Sequence, residues 1–89
     1  MDFEWDPAKS AATYETRGFD FAYASRIFTT GWMAVQDARA DYGESRMKAI
    51  GQTETDILVV IYTVRGKTLR LISARRANRK ERGLWQSRA

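Results

Sequence analysis

The chain has 89 residues with no cysteine and no histidine, and its formal net charge at pH 7 is +4. This composition excludes disulfides, thiolate zinc sites and histidine-based acid–base catalysis, and the length fits a single domain over residues 1–89. No apolar run reaches the roughly 18 residues that a membrane helix needs, and no signal peptide opens the chain, so we expect a cytoplasmic protein without membrane contact.

The first third of the chain predicts a short strand followed by two helices. Residues 3–5 alternate like a strand. Asp6 is a good N-cap and Pro7 suits the first position of a helix, which we expect to end near Arg17 at a glycine. A second helix is expected over residues 21–28, where apolar side chains recur at helical spacing.

The rest of the chain predicts four antiparallel strands and a last helix. Gly66 permits a tight hairpin between the last two strands, and Asn78 with Glu81 forms a capping box. Leu84 and Trp85 are expected to anchor the final helix. The strands are expected at residues 33–37, 46–51, 57–64 and 68–73. The pattern therefore predicts an α+β fold with its helices against one face of the sheet.

Charge is distributed unevenly along the chain. Residues 1–44 carry four basic and eight acidic side chains, whereas residues 45–89 carry eleven basic and three acidic ones. This separation places a positive field on one part of the fold, for which a polyanion is a natural partner. A solvated basic face is the alternative explanation.

Arginines cluster where the last strand is expected to lead into the final helix. Arg75, Arg76 and Arg79 lie there, and Arg65 lies at the hairpin. Guanidinium groups grip phosphate oxygens through two hydrogen bonds, and they stabilise the charge that develops when a phosphodiester is cleaved. Binding an acidic partner, or solubilising a helix, are alternatives. The pattern does not decide whether Arg65 and Arg75 share one surface.

Other polar side chains near these arginines are secondary candidates. Glu44 could act as a base or orient Arg46, or the two could form a surface ion pair worth about 0–1 kcal/mol. Tyr62 could stack on a base or donate a proton, but a tyrosine in a central strand also suits the core. Lys67, in the hairpin, is a candidate for contacting RNA.

Nearly the whole chain resembles the BrnT toxins, a family within the RelE/ParE-like superfamily. Each matching piece is weak alone, but the pieces follow one another in order. The resemblance is strongest at residues 69–77, Leu-Arg-Leu-Ile-Ser-Ala-Arg-Arg-Ala. The other matching segments are residues 3–9, 18–24, 27–28, 41–46, 49–51, 59–66 and 79–82.

The resemblance implies a RelE-like fold and a ribonuclease, without metal or cofactor, that cleaves RNA by 2′-hydroxyl attack and inhibits translation. It also implies a bacterial type II toxin–antitoxin pair with a BrnA-like antitoxin, through which alone the chain would meet operator DNA. Arg65, Arg75 and Arg76 match the arginines expected to act in catalysis or substrate binding. Glu44 and Arg79 are carried over as further candidates.

One position departs from the family pattern. The lysine and histidine that typically end the first helix are replaced by Thr16 and Arg17. Arg17 keeps a cation that can meet phosphate, but a guanidinium with a pKa above about 12 is a poor proton carrier. This departure favours an alternative, a catalytically weak or inactive module that binds an antitoxin or nucleic acid. A ParE-like poison of gyrase is a further alternative within the same superfamily.

Overall fold

A computed structural model describes residues 1–36 and 45–88 of the chain. Among these residues, three helices and a five-stranded sheet form an α+β fold, with one short 3-10 turn. None of the described helices combines the length and apolar character needed to cross a bilayer. In chain order the elements are β1 Asp2–Glu4, α1 Pro7–Arg17, α2 Phe21–Ala24, the 3-10 turn Ser25–Thr29, β2 Met33–Gln36, β3 Met47–Gln52, β4 Ile57–Arg65, β5 Thr68–Arg76 and α3 Arg79–Ser87.

The start and end of α1 are as the sequence predicts. The carboxylate of Asp6 accepts from the backbone N–H of Ala8 over 2.9 Å, and Pro7 opens the helix. Gly18 ends it in the left-handed conformation, with φ at 84°, which glycine adopts without a steric penalty.

The second predicted helix is one element in the sequence pattern but two in the structure. α2 ends at Ala24, and a 3-10 turn continues the chain from Ser25. The hydroxyls of Ser25 and Thr29 donate to carbonyls three residues back, and such local bonds compete with regular α-helical geometry. The predicted apolar stripe is nevertheless confirmed, because Phe21, Ala24, Ile27 and Phe28 are all buried.

The sheet is mixed and has five strands, which corrects the prediction of a four-stranded antiparallel sheet. Its strand order is β1-β5-β4-β3-β2, and β1 pairs in parallel with β5. Two contacts hold β1 at this edge: Phe3 packs against Phe28 with ring centroids 5.6 Å apart, and Glu4 pairs with Arg70 over 3.3 Å. The remaining neighbours are antiparallel, as predicted.

Helices cover both faces of the sheet, so the prediction that they share one face is wrong. Phe21, Leu58 and Leu71 belong to the core on the face beneath α2, which we call the α2 face. Ile50 and Val59 pack with Trp85 on the opposite face, beneath α3, which we call the α3 face. The alternation of side chains along each strand supplies apolar residues to both cores.

Only one of the two predicted anchors holds α3. Trp85 is buried and its indole N–H donates to Gln52 Oε1 over 2.9 Å. Leu84, in contrast, is 47% exposed, so the prediction for this residue is wrong. Adjacent helical residues point about 100° apart, so α3 cannot direct both side chains into one seam.

β5 is three residues longer than the sequence predicts. It continues past Ser73 to Arg76 because β4 offers partners for the whole length: Arg75 lies opposite Val59 and Arg76 opposite Leu58. The register shifts between Ile61 and Tyr62, which accommodates one extra residue on β5. The two arginines expected in a connection therefore lie inside a strand.

Candidate functional site

Arg75 and Arg76 leave opposite faces of the sheet. They are successive residues of β5, and side chains alternate between faces along a strand. Arg75 lies opposite Val59, which belongs to the core of the α3 face, and Arg76 lies opposite Leu58, in the core of the α2 face. The structure thus separates two arginines that the sequence analysis placed in one cluster.

Arg75 belongs to a group of charged side chains on the α3 face. Its Nη1 donates to Glu81 Oε1 over 2.6 Å and its Nη2 donates to Glu81 Oε2 over 2.8 Å. Lys48 Nζ, from β3, donates to the same Oε2 over 3.1 Å. We call these three residues the Arg75–Lys48–Glu81 cluster. Among the described residues, the cluster joins two cations to one anion.

Backbone geometry brings Glu81 to this position. Asn78 caps α3 by accepting from the backbone N–H of Glu81, and Glu81 Oε1 accepts from the backbone N–H of Asn78, each over 2.9 Å. The capping box predicted from the sequence is therefore confirmed. It aims the carboxylate of the first helical turn at β5 and β3, where the two cations emerge.

Glu81 is buried, whereas the two cations remain partly exposed. The exposed fraction of the side chain is 5% for Glu81, 32% for Arg75 and 28% for Lys48. Hydrogen bonds from Arg75 lower the pKa of Glu81 to about 2, against an ordinary value of 4.5, even though burial alone would raise it. The contacts from Asn78 and Lys48 act in the same direction as Arg75. The carboxylate is thus ionised at neutral pH.

Arg76 has a different environment on the α2 face. Its Nη1 donates to the Arg17 carbonyl over 2.9 Å, its Nε lies 3.4 Å from Asp56 Oδ1, and its guanidinium lies 5.1 Å from the centre of the Phe19 ring. A hydrogen bond from Tyr23 and the neighbouring Arg76 lower the pKa of Asp56. These contacts join β5 to the end of α1 and the start of α2.

Arg76 also lines a cavity of about 330 Å³ between these elements. The other lining residues are Tyr14, Gly18, Phe19, Asp20, Tyr23 and Asp56. Two carboxylates and one guanidinium give this cavity no excess of positive charge. It therefore lacks the electrostatic character that phosphate binding requires.

Arg65 shares the α3 face with Arg75 but lies far along it. Ile61, Thr63 and Arg65 alternate along β4, and Ile61 packs in the core of the α3 face. Arg65 is the last residue of β4 and lies opposite Thr68. Arg75 lies opposite Val59, which is six residues before Arg65 on β4. At about 3.3 Å a residue this separation is about 20 Å along the strand, so the backbone of Arg65 lies well away from the Arg75–Lys48–Glu81 cluster.

The remaining candidate cations are spread around these positions. Lys67 is exposed in the turn after β4, and Arg79 is exposed at the first residue of α3. Arg46 precedes β3 and lies two residues from Lys48. Arg17 ends α1 on the side of Arg76, where its backbone carbonyl accepts the hydrogen bond from that residue. The structure therefore divides these cations between two sides of the sheet.

Of the two candidates for proton transfer, Tyr62 and Glu44, the structure describes only Tyr62. Tyr62 lies in the core of the α2 face, where its ring meets Phe28 and Trp32 edge-on at centroid distances of 5.4 and 6.0 Å. Burial raises the pKa of its hydroxyl. The structure therefore places this tyrosine in the core, which is the alternative role considered from the sequence. Glu44 lies outside the described residues.

Lys48 is not among the residues predicted for the site from the sequence, and Glu81 is predicted there only as part of the helix cap. Period-two alternation in the predicted strand 46–51 already placed Lys48 on one side with Ile50. Glu81 reaches Arg75 through the turn from β5 into α3, whereas Lys48 meets this group through the register of β3, β4 and β5. Long-range pairing of this kind is not encoded in spacing along the chain.

The arrangement on the α3 face is suited to binding an anion. Arg75 and Lys48 present partly exposed cations beside a buried carboxylate that holds them. Within residues 1–36 and 45–88, no three side chains among His, Cys, Asp and Glu gather into a group that could hold a metal ion. The guanidinium of Arg75 and the ammonium of Lys48 can donate hydrogen bonds and stabilise negative charge.

Comparison with known proteins gives a family assignment. A family model described as "Ribonuclease toxin, BrnT, of type II toxin-antitoxin system" matches residues 5–81, a span that includes Lys48, Arg75 and Glu81. No curated protein matches the chain. Membership of a toxin–antitoxin family implies an antitoxin partner. Because the match covers most of the 89 residues and agrees with the resemblance noted in the sequence, the chain belongs to the BrnT family of ribonuclease toxins.

Proposed function

We propose that the chain is an endoribonuclease that works without metal or cofactor and inhibits translation in the bacterial cytoplasm. The α3 face would bind the RNA, with Arg75 and Lys48 at the phosphate that is cleaved. The observation that carries this proposal is the convergence of these two cations, each about one-third exposed, at one point of the α3 face. The family assignment supports the same reaction class.

The reaction would be an internal transfer. The 2′-oxygen of the RNA bonds to the adjacent phosphorus, the bond from phosphorus to the 5′-oxygen breaks, and a 2′,3′-cyclic phosphate and a 5′-hydroxyl result. The proton of the 2′-hydroxyl goes to a base and the 5′-oxygen takes up another proton. Arg75 would stabilise the charge on the phosphate oxygens, because a fixed guanidinium interacts most strongly where charge develops.

The other candidate residues either contact RNA beyond the cleaved phosphate or lie outside the site. Arg65, Arg46 and Arg79 would bind phosphates along the RNA, and Lys67 would contact RNA beyond the hairpin. We leave Tyr62 out of the reaction, because its hydroxyl belongs to a side chain that is only 4% exposed. Glu44 is our candidate for the base.

The position of Arg76 changes its proposed role. Its contacts with Asp56 and the Arg17 carbonyl lie on the α2 face, behind the sheet as seen from Arg75. We therefore propose that Arg76 fixes β5 to the end of α1 instead of binding the cleaved phosphate. Because Arg17 lies at the end of α1, beside Arg76, we propose that it is not part of the RNA site.

We propose a BrnA-like antitoxin as the partner that keeps the toxin inactive, with operator DNA bound only through that antitoxin. The excess of basic over acidic side chains in residues 45–89 favours an acidic contact surface on the partner. Adding the purified antitoxin should suppress cleavage of RNA in proportion to complex formation.

The direct test is incubation of the purified chain with RNA in EDTA. We expect fragments that carry 2′,3′-cyclic phosphate and 5′-hydroxyl ends, and RNA that is 2′-O-methylated throughout should stay intact because the attacking group is blocked. Unmodified RNA that survives an excess of the protein would contradict the proposal.

One observation favours a second candidate, a binding module without catalytic activity. Glu81 already engages both terminal nitrogens of Arg75 and neutralises part of the charge that a phosphate would meet. Expression in bacteria without the antitoxin separates the two functions. Growth arrest with RNA fragments supports the nuclease, whereas normal growth together with RNA binding and no cleavage supports the binding module.

A further inference from the structure

We infer that Glu81 is a positioning residue of the RNA site, which holds Arg75 and Lys48 in one arrangement on the α3 face. This inference rests on the proposed ribonuclease function. The two side chains come from β5 and β3, which are not neighbours in the sheet because β4 lies between them. In the part of the chain that the structure describes, Glu81, on α3, is an anion that both cations contact.

The contacts of Glu81 exceed what a helix cap needs. In a capping box the side chain at this position accepts one hydrogen bond from the N-cap backbone, and glutamine serves as well as glutamate. Here Oε1 accepts from the backbone of Asn78 and from Arg75, while Oε2 accepts from Arg75 and Lys48. Only a carboxylate can bind both prongs of a guanidinium and an ammonium at once.

Charge and burial explain why the residue would matter for cleavage. Two cations brought this close repel each other, and long basic side chains lose rotamer freedom when they are held. A carboxylate that is 5% exposed offsets both costs, because it interacts in a medium of lower polarity than water. Arg75 would thus already be directed when the phosphate arrives, and a misplacement of about 1 Å can cost about 100-fold in rate.

Glu81→Gln separates capping from positioning, since glutamine preserves the cap and removes the charge. Glu4→Gln is the matched control: it makes the same charge change and breaks the Glu4–Arg70 pair at the sheet edge. We expect kcat of Glu81→Gln to fall about 100-fold. Its affinity for 2′-O-methylated RNA should rise at low salt, with a salt slope steeper by about 0.7, because one positive charge at the site is no longer neutralised by Glu81. Glu4→Gln should keep the kcat of the wild type.

The opposite movement of rate and affinity distinguishes positioning from general damage to the fold, which would weaken both. If Glu81→Gln does not fold, Arg75→Lys provides the second variant, because it retains the cation, Glu81 and the cap. Arg75→Lys loses the two-pronged contact, and we expect about a 100-fold lower kcat with an unchanged salt slope. A wild-type kcat in Glu81→Gln or in Arg75→Lys would overturn the inference.

Nuclear magnetic resonance of the Arg75 guanidinium gives a readout that does not depend on cleavage. Held by Glu81, its terminal nitrogens should give separate signals in the wild type, which merge through faster rotation in Glu81→Gln. Merged signals in the wild type overturn the positioning role whether or not RNA is cleaved. Separate signals in a wild type that leaves RNA intact overturn only the proposed function.

Discussion

Stability at acid pH should depend strongly on Glu81. Its pKa is about 2 in the folded chain, against an ordinary value of 4.5 that applies when the chain is unfolded. A carboxyl group whose pKa is lowered by folding stabilises the folded state above the unfolded value, and this contribution disappears as the pH falls through the folded value. The difference of about 2.5 pH units corresponds to about 3 kcal/mol, given about 1.4 kcal/mol for each unit.

Urea unfolding of the wild type and of Glu81→Gln, measured between pH 7 and pH 2, isolates this contribution. The free energy of unfolding of the wild type should exceed that of the variant by an amount that is constant above about pH 5. That difference should then shrink by about 3 kcal/mol as the pH falls to 2. Other carboxylates, Asp56 among them, titrate in both proteins and cancel in the comparison.

A difference that stays constant from pH 7 to pH 2 would refute this reasoning, because it would mean that Glu81 has the same pKa in both states. A titration of the Glu81 side-chain carboxyl carbon followed by nuclear magnetic resonance provides a direct check. We expect its midpoint near pH 2 in the wild type and at a higher pH in Arg75→Ala, since Arg75 is the main cause of the lowered pKa.

Two further predictions concern packing on either side of the sheet, and urea unfolding tests both. Gly51→Ala should lower the free energy of unfolding by about 1–3 kcal/mol, because its Cβ would lie 2.6 Å from Cβ of the buried Ile27. Gly83→Ala, where no atom lies within 4 Å, should instead raise it by up to about 1 kcal/mol, and equal losses in the two variants would contradict the steric argument. Gln52→Ala should cost about 1–3 kcal/mol by leaving the buried indole N–H of Trp85 without its acceptor, and an unchanged stability would show that water replaces it.

Local signals in the sequence predicted most of the elements. Asp6 and Pro7 start α1, Gly18 ends it, and the Asn78–Glu81 capping box starts α3, as expected. Each of these features depends on hydrogen bonds or backbone conformations within a few residues. Such short-range chemistry is visible in the order of the amino acids.

Features set by distant pairing were not predictable. The parallel contact of β1 with β5 pairs residues 2–4 with residues 68–70, far apart in the sequence, and the sheet face covered by α3 depends on the route from β5. The predicted end of β5 at Ser73 placed Arg75 and Arg76 in a connection, where neighbouring side chains can point the same way. Because β5 reaches Arg76, their directions alternate and the two arginines separate.

The candidate site was therefore only partly accessible from the sequence. Arg75 was identified from its chemistry, whereas Lys48 became evident only through the register of β3, β4 and β5, and Glu81 through the direction in which α3 leaves β5. The sequence suggested a group of arginines that would bind phosphate together. The structure has instead a mixed group in which a carboxylate holds two cations.

The assignment of RNA cleavage to the α3 face is tested most directly by comparing Arg75→Ala with Arg76→Ala. These variants remove the same side chain from adjacent positions of one strand, on opposite faces of the sheet. Cleavage of RNA in EDTA should fall at least about 100-fold in Arg75→Ala and stay within a few-fold of the wild type in folded Arg76→Ala. An Arg75→Ala protein that cleaves like the wild type, or an equal loss in folded Arg76→Ala, would contradict the account.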